Sequence, residues 1–340
     1  MNLDELNKIA LKMVAPGKGL LAADESNNTI GKRFADIKTE NTEANRRDYR
    51  EFMFRTEVAM KNHISGVILY DETIRQKAKD GTTLVKLIED AGAVPGIKVD
   101  TGPIPMPGFP GEVVTQGLDG LRERFVEYHK LGARFAKWRA VIDIADGIPT
   151  YGCIHANAQA MARYAALAQE NGIVPIIEPE VLMDGAHDAA RCEEVTTFVH
   201  KDFFSELFIA RVELEGIILK PNMIVAGKKS PKQASVEEVA ERTLRVLRRT
   251  TPSAVPGIAF LSGGQSDLLS TQHLDAMNKI GGNPWPLTFS YGRALQAAPQ
   301  KAWGGKPENI QAGKDAFAHR ALMNFNAALG KWSKSEDKAA

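Results

Sequence analysis

The sequence predicts a closed (β/α)8 TIM barrel with parallel strands. Eight short apolar runs of strand length occur along the chain, and longer stretches with helical periodicity separate them. No low-complexity linker or break in composition divides the 340 residues. Eight alternating strand and helix units favour a closed barrel over an open sheet. We therefore assign residues 1–332 to a single barrel domain and residues 333–340 to a polar, mobile tail.

The predicted strands share one pattern, in which an apolar run ends in polar or charged residues. In chain order they are GLLAADES (19–26), SGVILYDE (65–72), VPGIKVD (94–100), ARFAKWRAV (133–141), VPIIEPE (174–180), GIILKPNM (216–223), GIAFLSGG (257–264) and PLTFSYGR (286–293). Amphipathic helices are predicted between and after them, for example at 42–60, 118–131, 157–171, 235–250 and 314–329. Stretches rich in Pro and Gly at 102–111 and 281–286 predict loops.

Composition and charge exclude several classes of function. The formal net charge of +1 gives the whole molecule no electrostatic attraction to nucleic acid or to an anionic membrane. Two cysteines in so long a chain do not indicate a disulfide scaffold. The amino-terminal stretch lacks the apolar core of a signal peptide, and no run approaches the ~20 apolar residues of a membrane helix. We expect a cytoplasmic protein.

Metal and nucleotide cofactors are not expected. None of the seven histidines lies in the eight strand-end motifs, and the sequence contains no His-Glu-x-x-His pair for zinc. The phosphate loop of P-loop enzymes and the Gly-x-Gly-x-x-Gly fingerprint of dehydrogenases are also missing. These absences disfavour zinc enzymes, kinases and dehydrogenases.

The predicted strand ends carry an unusual number of charged side chains. In barrels of this kind the carboxyl ends of the strands meet at one mouth and hold the active site. Any single pair of charges there could be a structural salt bridge, but so many converging charges indicate a functional site. The residues at these ends are Asp24, Lys98, Asp100, Lys137, Arg139, Glu178, Glu180, Lys220, Ser262 and Arg293.

Among the three lysines, Lys220 is best suited to act as a nucleophile. A lysine amine is nucleophilic only when deprotonated, which requires burial or a neighbouring cation. Lys220 follows an apolar run and has no carboxylate on its own strand, whereas Lys98 shares a strand face with Asp100. Lys137 is either a second candidate or the neighbouring cation. A lysine that merely extends from a strand end into solvent is the alternative for Lys220.

Carboxylates are the candidate acid and base groups. Glu178 and Glu180 flank Pro179 and point to the same face, where they can move protons during formation of a Schiff base. Asp24 ends the first strand and is a further candidate. The alternative for Asp24 is a helix cap, a role that Ser26 also suits.

Two phosphate sites can be argued from the sequence. The first combines LSGGQS (261–266) with SYGR (290–293), where a Gly-Gly turn exposes backbone N–H groups and Arg293 adds a charged fork. The second lies at a helix start, DESNNTIGKR (24–33), with Lys98 within reach. Anion sites on both sides of a central lysine indicate a substrate that is phosphorylated at both ends.

Eight long motifs resemble those of one known family. They are GKGLLAADES (17–26), KRFADIKTENTEANRR (32–47), GIKVDTG (96–102), GARFAKWR (132–139), NGIVPIIEPE (171–180), LEGIILKPNM (214–223), GIAFLSGGQS (257–266) and LTFSYGRALQ (287–296). On these motifs the chain is similar to the class I, Schiff-base-forming fructose-1,6-bisphosphate aldolases of the animal and plant type. The resemblance implies a carbon–carbon lyase of glycolysis and gluconeogenesis. Its reversible reaction would cleave fructose 1,6-bisphosphate to dihydroxyacetone phosphate and glyceraldehyde 3-phosphate.

The resemblance also implies roles for individual residues. Lys220 would form the Schiff base, and Glu178, with Glu180 beside it, would dehydrate the carbinolamine. Asp24 and Lys137 would handle proton transfer and charge as the carbon–carbon bond breaks. The substrate and its phosphates would be bound by Arg33, Ser262, Gly263, Gly264, Ser290, Gly292 and Arg293, and the sugar chain and distal phosphate by Ser26, Thr29, Lys98 and Arg139. The family leads us to expect a homotetramer.

Two features depart from the family pattern. Thr29 stands where a phosphate-side serine is familiar, but it keeps the hydroxyl. Animal members end in a tyrosine that serves catalysis, whereas the last tyrosine here is Tyr291. We expect Glu178, with water, to protonate the enamine instead; the alternative is a tail that closes the mouth as a lid. Two rival functions stay open: an aldolase that prefers another ketose phosphate such as fructose 1-phosphate, and a barrel kept for binding proteins.

Overall fold

A computed structural model describes residues 2–337, and its central feature is a closed barrel of parallel strands, so the predicted fold class is confirmed. The strands of the described residues are β1 (Gly19–Ala23), β2 (Ile64–Leu69), β3 (Val94–Lys98), β4 (Gly102–Pro105), β5 (Val113–Gln116), β6 (Phe135–Ile142), β7 (Val174–Val181), β8 (Ile218–Leu219), β9 (Ile258–Phe260) and β10 (Leu287–Tyr291). Around the barrel their order is β1, β10, β9, β8, β7, β6, β3 and β2, which pairs again with β1. Each of the eight predicted runs overlaps one barrel strand, and β2, β6 and β7 extend one residue beyond their runs.

Helices connect the strands on the outside. Within the described residues they are α1 (Leu3–Met13), α2 (Asn27–Asp36), α3 (Glu43–Phe54), α4 (Glu57–Asn62), α5 (Asp71–Arg75), α6 (Leu84–Asp90), α7 (Leu121–Lys130), α8 (Tyr151–Glu170), α9 (Ala189–Ile209), α10 (Val236–Thr250), α11 (Asp267–Ile280), α12 (Arg293–Trp303) and α13 (Ile310–Ala328). Short 3-10 turns at Leu214–Gly216 and Pro307–Asn309 complete the set. None of these helices combines the length and the apolar character that a membrane crossing requires.

Helix boundaries differ from the predicted ones where a side chain caps or ends a helix. The segment predicted as one helix at 42–60 is divided into α3 and α4 at Thr56, whose φ of −81° and ψ of 81° lie outside the helical region and whose hydroxyl donates to Phe52 O at 2.9 Å. The helix predicted at 157–171 begins earlier, at Tyr151, because the Thr150 hydroxyl caps it by accepting the Cys153 N–H.

The stretch predicted as a loop at 102–111 is partly a hairpin. Strands β4 and β5 pair antiparallel, outside the barrel, with Gly102 opposite Gln116 and Pro105 opposite Val113. Proline is compatible with an edge strand, where its nitrogen faces away from the partner. The hairpin is therefore compatible with the proline content that predicted a loop.

The amino-terminal end of the barrel is closed by an apolar cluster, which we call the barrel floor. Leu6 of α1 packs there with Leu20, Phe135 and Ile176, whose side chains are fully buried or nearly so. Gly96 makes room for the Phe135 ring, because a Cβ built on Gly96 would lie only 2.3 Å from it. The packing of the floor therefore requires a glycine on β3 next to the large Phe135 ring of the neighbouring strand β6.

The end of the described chain packs against α13 and α11. Asp337 forms an ion pair with the buried guanidinium of Arg320 and accepts a hydrogen bond from Trp332 Nε1 at 2.9 Å. Residues 338–340 of the predicted mobile tail lie outside the described residues. The division into a barrel and a mobile tail stays a prediction.

Candidate active site

A cavity of about 910 Å³ opens at the carboxyl ends of the barrel strands. Its lining draws on β1, β3, β6, β7 and β10 and on the segments that follow β8 and β9, as expected for a barrel of this type. Gly264 is the one predicted site residue that does not line it. The others are Asp24, Ser26, Thr29, Arg33, Lys98, Lys137, Arg139, Glu178, Glu180, Lys220, Ser262, Gly263, Ser290, Gly292 and Arg293.

Lys220, directly after β8, is 4% exposed and belongs to a compact charged cluster. Its Nζ atom is 3.0 Å from Oε1 of Glu178, and the Nζ atom of Lys137 is 3.5 Å from Oε2 of the same carboxylate. Lys137 Nζ is also 2.8 Å from Asp24 Oδ2 and 3.9 Å from Asp100 Oδ2. The two lysines therefore share Glu178, and Lys137 has two additional carboxylates within ion-pair distance.

The surroundings of Lys137 fix its charge. Burial on its own would lower the pKa of the Lys137 amine, but the charges of Asp24, Glu178 and Asp100 outweigh burial and raise that pKa well above its usual value. Burial would likewise raise the pKa of the Asp24 carboxyl, but Lys137 and Lys220 lower it well below its usual range. These opposite charges favour the protonated form of Lys137 and the ionised form of Asp24 beside it.

Each remaining carboxylate of the strand ends also has its own cation. Glu180 forms a short ion pair with Arg139, so its negative charge is compensated separately from that of Glu178. Asp100 lies 2.9 Å from Lys98 Nζ and accepts the backbone N–H of Arg139 at 3.4 Å. Lys98 is thus held by its neighbour on the same strand face, as the alternation of side chains predicts.

The loop from β1 into α2 supplies hydroxyl groups to one side of the cavity. The Ser26 hydroxyl caps α2 by accepting the Thr29 N–H at 3.3 Å, and the two hydroxyl oxygens are 3.1 Å apart. The sequence left open whether Asp24 caps this helix. The cap is Ser26, which leaves Asp24 to face Lys137.

The opposite side of the cavity is suited to a phosphate. Gly263 and Gly264 have φ angles of 59° and 85°, in the left-handed region that favours glycine. Helix α12 begins at Arg293, and helix amino termini attract anions. Among the described residues, the buried Ser290 hydroxyl has no hydrogen-bond partner. A turn, a helix start, a guanidinium and an unpaired hydroxyl therefore converge on one region.

Arg33 extends from α2 between these two sides. It forms a short ion pair with Glu25, and a Cβ built on Gly292 would lie 3.8 Å from its Nη2 atom. Arg33 thus reaches toward the end of β10, where Arg293 begins α12. Its assignment to the phosphate opposite Arg293 stays a prediction.

Comparisons with known proteins agree on one family. The family described as fructose-bisphosphate aldolase class-I matches residues 5–340. A probable fructose-bisphosphate aldolase class 1 of Xanthomonas campestris is 54% identical, over 98% of this chain and 99% of the relative. A cytosolic fructose-bisphosphate aldolase of Arabidopsis thaliana is 51% identical, over 97% of this chain and 92% of the relative. A solved fructose-bisphosphate aldolase of Plasmodium falciparum superposes with a TM-score of 0.96 at 47% identity, covering 97% and 96% of the two chains.

The chain belongs to the class I fructose-bisphosphate aldolase family. The predicted family, function and enzyme class, a carbon–carbon lyase, are thereby confirmed. The charged cluster of Asp24, Lys137, Glu178 and Lys220 is consequently the candidate catalytic centre of an aldolase.

Three aldolase residues near this centre received no role from the sequence. Asp100 links Lys98 to Lys137, and Glu25 holds Arg33. Arg50 of α3 is fully buried, and its guanidinium donates to the carbonyl oxygens on either side of Asp24, those of Ala23 and Glu25. The spacing from Lys98 already places Asp100 at this strand end in the sequence, although without a role in the reaction. Arg50 lies in a helix that resembles a solvated polar one, so no signal in the sequence indicates its burial.

The described part of the aldolase offers no obvious metal site. Among residues 2–337, no group of three or more His, Cys, Asp and Glu side chains has an arrangement that could hold a metal ion. Asp24, Glu178 and Glu180 are instead paired with lysines and an arginine.

Proposed function

We propose that Lys220 forms the Schiff base with the ketone of fructose 1,6-bisphosphate. The observation that carries this assignment is the sharing of Glu178 between two buried lysines. Lys137 has Asp24 and Asp100 as further ion-pair partners and keeps its charge, whereas among the carboxylates of the described residues only Glu178 lies within ion-pair distance of Lys220. The proton of Lys220 can therefore pass to Glu178, which frees the amine to attack the ketone.

In this proposal Glu178 moves protons throughout the reaction. As its protonated form, it gives a proton to the departing hydroxyl of the carbinolamine, which leaves as water and produces the iminium ion. The resulting carboxylate then accepts the proton of the C4 hydroxyl as the C3–C4 bond breaks into the electron-poor iminium. Glyceraldehyde 3-phosphate leaves, and Glu178 returns the proton to C3 of the enamine. Water then hydrolyses the iminium and releases dihydroxyacetone phosphate.

Asp24 and Lys137 have a supporting part in this proposal. The low pKa of Asp24 makes it a weak base, so it orients the sugar hydroxyls and keeps Lys137 in position. The Lys137 cation stabilises the negative charge that develops on the C4 oxygen during cleavage. Glu180 holds Arg139 at the edge of the cavity, where the guanidinium can meet the sugar chain.

The two phosphates of the substrate fit the two sides of the cavity. The phosphate next to the ketone takes the Gly263–Gly264 turn with Arg293, and the distal phosphate takes the start of α2. Supporting contacts at the first come from Ser262, Ser290 and Gly292, and at the second from Ser26, Thr29, Arg33, Lys98 and Arg139.

Borohydride reduction in the presence of dihydroxyacetone phosphate tests the central assignment. Reduction should add the mass of the reduced triose phosphate to the peptide that contains Lys220. A Lys220→Arg variant, which keeps the charge and loses the nucleophilic amine, should show neither labelling nor turnover. Labelling at Lys98 or Lys137 in the unaltered chain would contradict the assignment. If Lys220 is labelled but turnover is lost when a metal chelator is added, the result would contradict a metal-free mechanism.

The environment and assembly of the enzyme are further proposals. The cytosolic name of the Arabidopsis relative supports a cytoplasmic enzyme. Large apolar side chains exposed on α9, Phe198 at 48%, Phe208 at 83% and Ile209 at 65%, support a homo-oligomer, for which the family predicts a tetramer. Sedimentation equilibrium should give a mass of about four chains; a mass of one chain would contradict it.

A further inference from the structure

Two loops after neighbouring barrel strands are hydrogen-bonded to each other beside the Gly263–Gly264 turn. The loop after β7 carries Asp184, and the loop after β8 carries Lys228. The backbone N–H of Lys228 donates to Met183 O at 2.7 Å, and that of Lys229 donates to Gly185 O at 3.0 Å. The backbone therefore fixes the positions from which the side chains of Asp184 and Lys228 extend.

Lys228 lies over the Gly263–Gly264 turn together with Arg293. A Cβ built on Gly264 would lie 2.8 Å from Nζ of Lys228 and 3.0 Å from Nη2 of Arg293. Two cations thus flank one point directly beside the turn. Like charges at such close range repel each other, so the arrangement favours an anion that can contact both.

Asp184 supplies one negative charge to this group of cations. Its Oδ1 atom is 2.8 Å from Lys228 Nζ. The hydrogen bond from Lys228 outweighs partial burial and lowers the pKa of Asp184, with a further contribution from the charges of Lys228, Arg293 and Lys229. A phosphate monoester carries about −1.5 to −2 charges near pH 7 and three acceptor oxygens, so it is a stronger partner for the cations than a carboxylate.

We propose that Lys228 is a further phosphate-binding residue of the Gly263–Gly264 turn, and that Asp184 holds its ammonium group until a phosphate arrives. The inference rests on the assignment of this turn to the phosphate next to the ketone. The flexible stem of a lysine allows the ammonium group to turn from Asp184 to the phosphate without a change in the backbone. Lys228 then acts on the affinity for the ketose end of the substrate, and takes no part in the covalent chemistry.

An ordinary surface ion pair is the alternative explanation. The side chains of Lys228 and Asp184 are 43% and 62% exposed, and such pairs contribute little to stability. The two explanations predict different changes in the affinity for phosphate. If the pair is only structural, loss of Asp184 and loss of Lys228 should change this affinity in the same direction. In our proposal, loss of Asp184 should strengthen phosphate binding and loss of Lys228 should weaken it.

The test is the dissociation constant of dihydroxyacetone phosphate, measured by calorimetry on the full chain. This triose carries only the phosphate next to the ketone, and its binding can be measured whichever lysine forms the Schiff base. Lys228→Met should raise the constant by about three- to tenfold, and Lys228→Arg should restore it. Asp184→Asn should lower it by about twofold or more. Lys232→Met, an exposed lysine on the same loop, is the matched control and should leave it unchanged.

The same variants give a second readout in the cleavage reaction. Lys228→Met should lower kcat/KM by the same factor for fructose 1,6-bisphosphate and fructose 1-phosphate, because both carry the phosphate that Lys228 meets. A loss confined to the bisphosphate overturns the proposal, as does weaker binding in Asp184→Asn or unchanged binding in Lys228→Met. A failure of the Schiff-base assignment would appear instead as borohydride labelling of a different lysine, with these binding constants unaffected.

Discussion

The two ends of the barrel interior are built by the same strands but differ completely in chemistry. At the floor, β6, β7 and β8 supply Phe135, Ile176 and Ile218, which are fully buried among other apolar side chains. Two residues further along the same three segments lie Lys137, Glu178 and Lys220. A shift of two residues keeps the side chain on the same face of a strand, so the inward-facing column changes from apolar to charged within one step.

The difference shows which end stabilises the fold and which end performs the reaction. Removal of apolar surface from water at the floor stabilises the barrel. At the mouth, burial of Lys137, Glu178 and Lys220 costs several kcal/mol per ion before pairing offsets it. The mouth therefore depends on the rigid floor to hold charges that would otherwise be hydrated. Substitutions at the two ends should separate stability from chemistry.

The largest expected effect is the loss of Glu178 at the mouth. Glu178→Gln keeps the size of the side chain but removes the proton carrier, so kcat should fall by about 10²–10⁴-fold. Borohydride trapping of dihydroxyacetone phosphate should slow as well, because dehydration of the carbinolamine precedes the iminium. Glu180 lies two residues along and is paired with Arg139, so Glu180→Gln is the matched variant. Its kcat should fall much less than that of Glu178→Gln. Equal losses in both variants would contradict the role given to Glu178.

The corresponding change at the floor should act on stability instead. Phe135→Ala leaves a cavity beside Gly96 and should lower the free energy of unfolding by about 3–5 kcal/mol. Where the variant is folded, the KM for fructose 1,6-bisphosphate should stay close to that of the unaltered enzyme. Denaturant unfolding at fixed protein concentration checks the first outcome and steady-state kinetics the second. Leu11→Ala, at a half-exposed site on α1, should change stability by about 0.5 kcal/mol or less. A raised KM with unchanged stability would show that the two ends are not separate.

The sequence predicted the charged residues at the strand ends but not which of them form ion pairs between neighbouring strands. Alternation along a strand was enough to place Lys98 with Asp100, which are 2.9 Å apart. Between β6 and β7, however, the Cα register sets Arg139 opposite Glu178, whereas the ion pair joins Arg139 to Glu180. The long Arg139 side chain leans along the strand and reaches Glu180 rather than Glu178, which lies directly opposite. The tilt of the strands, which sets this offset, is a property of the closed barrel, and no single segment of sequence encodes it.

Residues outside the strands were the least predictable part of the site. Arg50 and Lys228 belong to a helix and a loop, where charged side chains are usually solvated. Their positions depend on the hydrogen bonds from Arg50 to the end of β1 and on those between the loops after β7 and β8. Such contacts join residues far apart in the chain, and local patterns of hydrophobicity contain no information about them. Seven of the eight motifs that resemble the family, by contrast, include part of a barrel strand.

The smallest expected effect concerns Arg33, which tests whether the mouth itself has two distinct ends. If Arg33 binds the distal phosphate, Arg33→Ala should lower kcat/KM for fructose 1,6-bisphosphate by an amount equivalent to about 1.5–3 kcal/mol of activation free energy. The kcat/KM for fructose 1-phosphate should stay nearly unchanged. Arg293→Ala should reduce both, because both substrates carry the phosphate next to the ketone. Arg33→Lys keeps the charge but loses the bidentate guanidinium, so its kcat/KM for fructose 1,6-bisphosphate should lie between those of the unaltered enzyme and Arg33→Ala. The position of Arg33 Nη2 beside Gly292 makes this the sharpest test, because an arginine that served the ketose end would weaken both substrates equally. That result would place both arginines at one phosphate and leave Ser26, Thr29 and Lys98 to bind the other.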